Sequence, residues 1–305
     1  MMEGDMLVIQ VPGSTANLGP GFDSVGLALS VYLRLEVERS NHWEIVMLSE
    51  ELEGLPVDES NYIIQIAIKT AKKFQRTLPE CRIRMSSDIP LARGLGSSAA
   101  AIVAGIELAN FVGNLQLSEE EKFKLASEIE GHPDNVGPSL FGGLVIGSQQ
   151  DSDVEAVVFN DLQFEVVAAV PKEELLTKDS RRVLPSEMPF QEAVKASSIS
   201  NVLVAALLRG DYPLAGKMMK KDLYHQPYRR KLVPHLKPLE DLAIKSGAFG
   251  VALSGAGPTV ICCCEIGKGD ELLKKLENYY SEMNYLCLQI DNKGSQIHLQ
   301  SSVNK

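Results

Sequence analysis

The sequence predicts an α+β fold, and three observations carry that prediction. Strand and helix patterns are mixed along the chain without strict β-α-β alternation. Glycine-rich loops link them, most visibly at residues 90–100 and 254–259. At 305 residues, 45% apolar and 23% charged, the chain can bury one large core or two of ordinary size.

Residues 6–10 read as a short strand and 12–23 as a long irregular loop. Residues 25–38 alternate in part, with Leu33, Leu35 and Val37 against Arg34, Glu36 and Glu38, which gives a strand with one wet face. A partner strand is expected at 43–48. Ser60 is placed to cap a helix to about Gln75, with Ile64, Ala67, Ile68 and Ala71 on one face. Residues 81–86 alternate again, and the glycine loop after them runs into an Ala-rich helix. Ser118 and Glu121 form a capping box for a helix to about Glu130. Gly131 breaks that helix, and 132–138 read as a turn leading to a strand at 141–146. Strands at 154–159 and 164–170 follow, and near there a first domain, 1–160, gives way to a second, 161–305. The second half is more helical, at 190–209, 212–222 and 236–246. Strand 250–254, glycine turn 255–258, strand 259–265, helix 270–283 and strand 285–290 complete it.

A formal charge of −10 argues against a general binder of nucleic acid or anionic membranes. No run of 18 apolar residues is present, and Glu3 and Asp5 stand where a secretory leader carries positive charge. A cytoplasmic protein is therefore expected. Cys262, Cys263 and Cys264 are consecutive in a strand pattern, so they point to alternate faces and cannot converge on one metal. They read as small packed hydrophobes.

Chemistry concentrates first in Pro90, Leu91, Ala92, Arg93, Gly94, Leu95, Gly96, Ser97, Ser98, Ala99 and Ala100. The glycines let the backbone turn tightly and approach a ligand. The following helix aims free N–H groups and its positive dipole end into the same space, which suits an anion, most often phosphate. The same pattern also makes a plain tight turn with a Ser cap. No Lys follows the last glycine, so this is not a Walker A loop. A dinucleotide fingerprint lacks its third glycine, although Ala99 stands near that place.

Four further stretches hold more chemistry than a core requires. Gly19, Pro20 and Gly21 fix a loop carrying Asn17 and Asp23, or form a bent connection with Asx turns. Glu130, His132, Asp134 and Asn135 cluster at a helix end, as a ligand site or as a pair of caps. Residues 177–182 and 224–231 are basic, either solvated surface or a carboxylate clamp, because an arginine fork bonds both oxygens at once. Residues 254–259 form a second glycine turn, which makes a hairpin or brings backbone close to the first loop.

Taken together and in order, segments 12–23, 90–100, 130–135 and 254–259 resemble the motifs of the GHMP kinases. That superfamily is named for galactokinase, homoserine kinase, mevalonate kinase and phosphomevalonate kinase. ANLGPGFDSVGLAL at 16–29, GHPDNV at 131–136 and QPYRRKLVP at 226–234 are similar to its homoserine kinase family. The likeness covers about residues 8 to 260. It implies the two-domain GHMP kinase fold, with an N-terminal half like the second domain of ribosomal protein S5 and a C-terminal ferredoxin-like α/β plait.

The resemblance also implies ATP-dependent phosphorylation of the L-homoserine hydroxyl, on the route to threonine, with Mg²⁺ as cofactor and a homodimer as the assembly. By that likeness the 90–100 loop cradles the ATP phosphates. Ser97 or Ser98 meets Mg²⁺ together with Glu130. Other members place more residues between this glutamate and the histidine, which keeps Glu128 as an alternative. Asn17, Asp23, His132, Asn135, Arg181 and Arg229 match positions that hold homoserine, and Thr177 matches a hydroxyl near the transferred group.

Elementary chemistry agrees with these roles. Arg181 and Arg229 suit the carboxylate, Asp23 with Asn17 suits the ammonium, and Asn135 can bond the reacting hydroxyl. An amide cannot take a proton, so catalysis is expected to rest on positioning and charge, with His132 a positioning group. A mevalonate or diphosphocytidyl polyol kinase is the nearest rival, but those substrates lack an amino acid's paired charges. A non-catalytic nucleotide sensor would be expected to lose the metal carboxylate or the loop hydroxyls, and this chain has both. A serine hydrolase would need the G-x-S-x-G elbow, which is missing here.

Overall fold

A computed structural model of the protein describes residues 5–300. Glu3, read above against a leader peptide, lies outside them. The first half comprises β1 (Met6–Ala16), β2 (Val25–Arg39), β3 (Glu44–Met47), α1 (Tyr62–Lys73), β4 (Cys81–Ser87), α2 (Ser97–Val112), α3 (Glu119–Glu130), α4 (Pro133–Phe141), β5 (Leu144–Gln150), β6 (Asp153–Phe159) and β7 (Glu165–Val170). It is followed by α5 (Thr177–Arg182), α6 (Phe190–Leu208), α7 (Tyr212–Met219), α8 (Gln226–Arg229), α9 (Leu236–Lys245), β8 (Gly250–Leu253), β9 (Val260–Cys264), α10 (Gly269–Tyr279), β10 (Asn284–Leu288) and β11 (Gln296–Gln300).

One sheet runs β11-β1-β2-β4-β3, with β5 also on β2 and β6 on β5. The length of β2 allows this. Its residues 25–27 pair with β5, while residues 33–39 pair with β4. Only β3 and β4 are parallel; β3 is therefore a partner of β4 rather than of β2. The second sheet, β10-β7-β9-β8, is antiparallel throughout and is built in the β-α-β-β-α-β order of a ferredoxin-like plait. The α+β class and the two-part architecture expected from the sequence are what the chain forms. The last strand, β11, returns to pair with β1 in the first sheet.

Helix α2 is apolar on nearly every face, and such a helix must be surrounded. It packs against β1, α1, α3 and α4. Its one charged residue, Glu107, is buried, pairs with Lys122 at 2.9 Å and accepts from Ser295 Oγ at 3.0 Å. That contact pins the chain just before β11. The α3 capping box forms as expected: Glu121 N donates to Ser118 Oγ at 3.1 Å and Ser118 N to Glu121 Oε2 at 2.8 Å. Cys262 and Cys264 face the α9–α10 side of the second sheet, and Cys263 faces the main core. All three are buried free thiols, on alternate faces as strand alternation requires. Among the described residues no helix is long and apolar enough to cross a membrane.

The structure corrects several expectations. Residues 12–16 are not loop but the second half of β1, continued past a register shift between Pro12 and Gly13. Small residues there hid a strand that helices approach closely. Residues 132–138 are not a turn but most of α4, with His132 as its N-cap and Pro133 in its first turn. Pro138 is accommodated inside the helix. Asn61, not Ser60, caps α1 by accepting from Ile63 N at 3.0 Å. The short helices α5 and α8 and the strand β11 were not expected at all.

Gly26 shows how tightly these layers meet. A Cβ at this position would lie 1.6 Å from the carbonyl oxygen of Asp134. Gly26→Ala is therefore expected to push α4 from β2 and destabilise the protein by about 2–3 kcal/mol. Urea unfolding measures this, and a loss below about 0.5 kcal/mol would show that α4 yields freely.

Candidate active site

The sequence motifs converge on a cleft with a cavity of about 390 Å³. The loop between β4 and α2 forms one wall, with Ala92, Gly94 and Gly96 all at positive φ. Gly96 is the N-cap of α2, at φ 75°, so the helix starts on a backbone cap and leaves Ser97 and Ser98 facing the cleft. A Cβ on Gly96 would meet Ser14 Oγ at 2.3 Å, and one on Gly94 would meet Ser254 O at 2.4 Å. These glycines are required by close approach as well as by conformation.

Leu91, Ala92, Gly94, Gly96, Ser97 and Ser98 line the cleft. Leu95, Ala99 and Ala100 instead lie in the core behind it. Pro90 is not among the lining residues. Arg93 turns its guanidinium away, donating to the carbonyls of Leu91 (2.6 Å), Pro171 (3.0 Å) and Lys172 (2.6 Å). Its side chain is thus a strut between this loop and the segment leading to α5.

Ser98 Oγ donates to Glu130 Oε2 at 3.1 Å. Glu128 is instead taken up by Lys73, at 2.7 Å. Burial raises the pKa of Glu130; His132 and Ser98 oppose that, and the charge of Asp134 adds to it. His132 Nδ1 lies 2.5 Å from Oδ1 of the buried Asp134. Burial alone would lower the His132 pKa, but its hydrogen bond to Asp134 and the charges of Asp134, Glu130 and Asp23 raise it overall. Asn135 Oδ1 accepts from Ser14 Oγ at 3.1 Å, which fixes its amide at the start of α4. Thr177 opens α5 at the edge of the cleft.

Asp23 and Arg181 face each other as a bidentate pair, at 2.7 and 3.0 Å. Asn17, at φ 75°, donates from Nδ2 to Gly255 O at 3.2 Å and accepts from Asp23 N at 3.0 Å. Its side chain braces the loop that carries Asp23. Arg229, read above as possible solvated surface, is only 2% exposed. Its Nε donates to Ser180 O (3.2 Å) and its Nη1 to Gly255 O (2.9 Å). Arg181 and Arg229 both lie over the Phe22 ring, with Cζ 5.5 and 5.3 Å from its centroid.

Sequence reasoning gave no specific role to three residues of this site. Asp134 was one member of the 130–135 cluster, ligand group or cap; it is 1% exposed and its carboxylate lies within 4.8 Å of ligating atoms of Asp23 and His132. Phe22 and His225 were hidden because nothing in their local patterns shows that the two rings stack on each other from distant parts of the chain.

The sequence matches the GHMP kinases N terminal domain over residues 61–143 and the GHMP kinases C terminal pattern over residues 203–282. The chain belongs to the GHMP kinases. Within them, the homoserine kinase of Bacillus velezensis is 52% identical to it over 298 residues, covering 97% of this chain and 96% of the relative. The homoserine kinase of Bacillus licheniformis is 51% identical, covering 99% of both. Among solved structures, a homoserine kinase from Cytophaga hutchinsonii aligns with a TM-score of 0.85 at 25% identity, over 98% of each chain. The fold extends to a mevalonate kinase of Methanococcus jannaschii, with a TM-score of 0.70 at 20% identity, over 93% of this chain and 98% of the other.

The His132–Asp134 pair predicts a signed pH dependence. With its pKa raised in the folded state, His132 contributes stability fully below its unfolded value, about 6.5, and loses it as pH climbs through the folded value. Urea unfolding of the wild type and His132→Gln should show a larger gap near about pH 5.5 than near about pH 9. A gap independent of pH would mean that the imidazole does not titrate against Asp134.

Proposed function

We infer that the chain is a homoserine kinase, transferring the γ-phosphoryl group of ATP to the side-chain hydroxyl of L-homoserine. The product, O-phospho-L-homoserine, lies on the route to threonine. One observation carries the choice of substrate. Behind a glycine–serine loop, the buried Arg229 has no ion-pair partner among the described residues, and the carboxylates of Asp23 and Asp134 line the same cleft. An α-amino acid supplies the complementary carboxylate and ammonium; mevalonate has no ammonium to offer.

In this reading the backbone N–H groups of the loop and the N-terminus of α2 hold the triphosphate. Leu52, Leu55, Pro56, Met85 and Ile89 form an apolar stretch of the cleft suited to a flat base. Ser98 and Glu130, two hard oxygen donors 3.1 Å apart beside that helix end, fit Mg²⁺, which keeps waters and phosphate oxygens as its other ligands. When bound, the ion neutralises charge on the phosphates. Arg229 takes the substrate carboxylate, with Arg181 released to it as the ammonium engages Asp23. Asn135 Nδ2 donates to the reacting hydroxyl, and Thr177 stands near the transferred group. His132, held by Asp134, orients the substrate. Positioning and charge then carry most of the rate, as a loose phosphoryl-transfer transition state allows.

A coupled assay of ADP release over a panel of alcohols tests this directly. Turnover is expected with homoserine and not with mevalonate, and the reverse would overturn the assignment. Arg229→Ala should raise KM for homoserine by about tenfold or more, equivalent to about 1.4 kcal/mol, with little change in KM for ATP. His132→Gln should keep part of kcat; complete loss at every pH would make His132 more than a positioning group.

A further inference from the structure

Arg229 has only donors to offer, and the way its nitrogens are held is informative. Nε and Nη1 bond backbone carbonyls, Nη1 also bonds His225 Nδ1 at 3.1 Å, and Nη2 has no partner among the described residues. Because the guanidinium can only donate, His225 Nδ1 must present a lone pair, which places the imidazole proton on Nε2. That Nε2–H donates to the carbonyl of Gly19 at 2.9 Å. The ring is fully buried and stacks on Phe22, with centroids 5.3 Å apart and planes at 23°.

We propose that His225 is a positioning residue for the substrate carboxylate: its neutral ring aims the Arg229 guanidinium and ties it to the 17–23 loop that carries Asp23. The proposal rests on the homoserine reading above. His225 joins the two halves of the amino-acid recognition site through a single imidazole. At one nitrogen it orients the group for the carboxylate. At the other it holds the loop that presents Asp23, the group for the ammonium. Phe22, from that same loop, lies against both arginines and the imidazole.

Burial and the nearest positive charge favour a neutral ring, and one carboxylate opposes them. Burial, followed by the positive charge of Arg229, holds the His225 pKa down at about 3. Asp222 Oδ2 approaches Nε2 at 3.4 Å, but the Asp222 carboxylate already accepts from the backbone N–H groups of Tyr224 (2.7 Å), His225 (3.3 Å) and Gln226 (2.8 Å). A second proton on the ring would point Nδ1–H at a guanidinium N–H and break the geometry. With no solvent exposure, His225 cannot touch substrate; it acts through Arg229.

Two substitutions separate the nitrogens. His225→Asn keeps an acceptor near the Nδ1 position, whereas His225→Gln keeps a donor near Nε2 and removes the acceptor from Arg229. Expected for His225→Gln is a rise of about tenfold in KM for homoserine with KM for ATP within about twofold, and His225→Asn should recover most of that loss. Equal rises in both KM values, or an Asn variant as poor as Gln, would reduce His225 to a packing residue. Wild-type turnover of homoserine tests the underlying reading separately, since its absence would sink that reading before any variant is made. Should neither variant fold, long-range ¹H–¹⁵N spectra of the wild type decide. A neutral Nε2–H ring from about pH 5 to 8 is expected, and a protonated or Nδ1–H ring overturns the proposal.

Discussion

The cleft depends on one short turn, residues 254–259, between β8 and β9. Gly255 O accepts from both Asn17 Nδ2 and Arg229 Nη1, while Gly255 N donates to Ala16 O at 3.1 Å. Ala256 O takes the Ser180 hydroxyl at 2.7 Å, fixing α5 and so Arg181. Ser254 Oγ donates to Gly94 O at 2.6 Å and shares a hydrogen bond with Thr15 Oγ1 at 2.8 Å. Thr259 N reaches Arg93 O at 3.3 Å. Four sequence-distant segments therefore take their positions from one stretch of the second sheet. A backbone can bond that many neighbours only where side chains do not intervene, which is why this turn and the Gly94 loop facing it are glycine-rich.

The electrostatics follow from the same convergence. A chain with a formal charge of −10 has to build an anion site from local groups rather than from its overall field. Under the proposed function it uses a helix N-terminus on one side and two arginines over one aromatic face on the other. Arg229 is the more costly of the two, because burial and then the nearby Arg181 bring its pKa down to about 10. The carboxylates of Asp23, Asp222 and Asp134 offset part of that from a distance. A guanidinium held this way is already desolvated and aimed, so in the proposed reading little reorganisation remains when the substrate carboxylate arrives. His132 shows the opposite balance, with close carboxylates outweighing burial and keeping the imidazole easier to protonate.

Much of this was legible in the residues alone. The long elements with clean periodicity, such as β4 with its alternating exposure and α3 with its capping box, form where their patterns place them. Legibility failed where tertiary contact outweighs local preference. The continuation of β1 through Gly13 and Ser14 looks like loop because its side chains are small, yet they are small to let the Leu95–Gly96 loop and the start of α4 approach. Helix α4 was masked by Gly137 and Pro138, which are helix breakers in isolation. Within it Gly137 faces Val145 at close range, so the glycine reflects packing, not a break. Of the two candidate glutamates, the sequence reading preferred Glu130 but kept Glu128 as an alternative, since both lie in the last turn of α3. Lys73, on another helix, occupies Glu128 and leaves Glu130 to Ser98.

The sequence by itself determined the α+β class, the glycine–serine loop before a helix, and the likeness to a kinase family through motifs in fixed order. Those features are local or nearly so, since turn chemistry, capping and periodicity act over a few residues. Only the tertiary structure decided which groups share the cleft and what each one faces. It turned Arg93 from the loop into a strut, brought Asp134 into the cleft and His225 beside Arg229, and buried Arg229 against two carbonyls and an imidazole. The physical reason is that hydrogen-bond partners and desolvation arise between residues as far apart as Gly19 and His225 or Asn17 and Gly255. Neither is written in any one segment; both appear when the 254–259 turn brings the segments together.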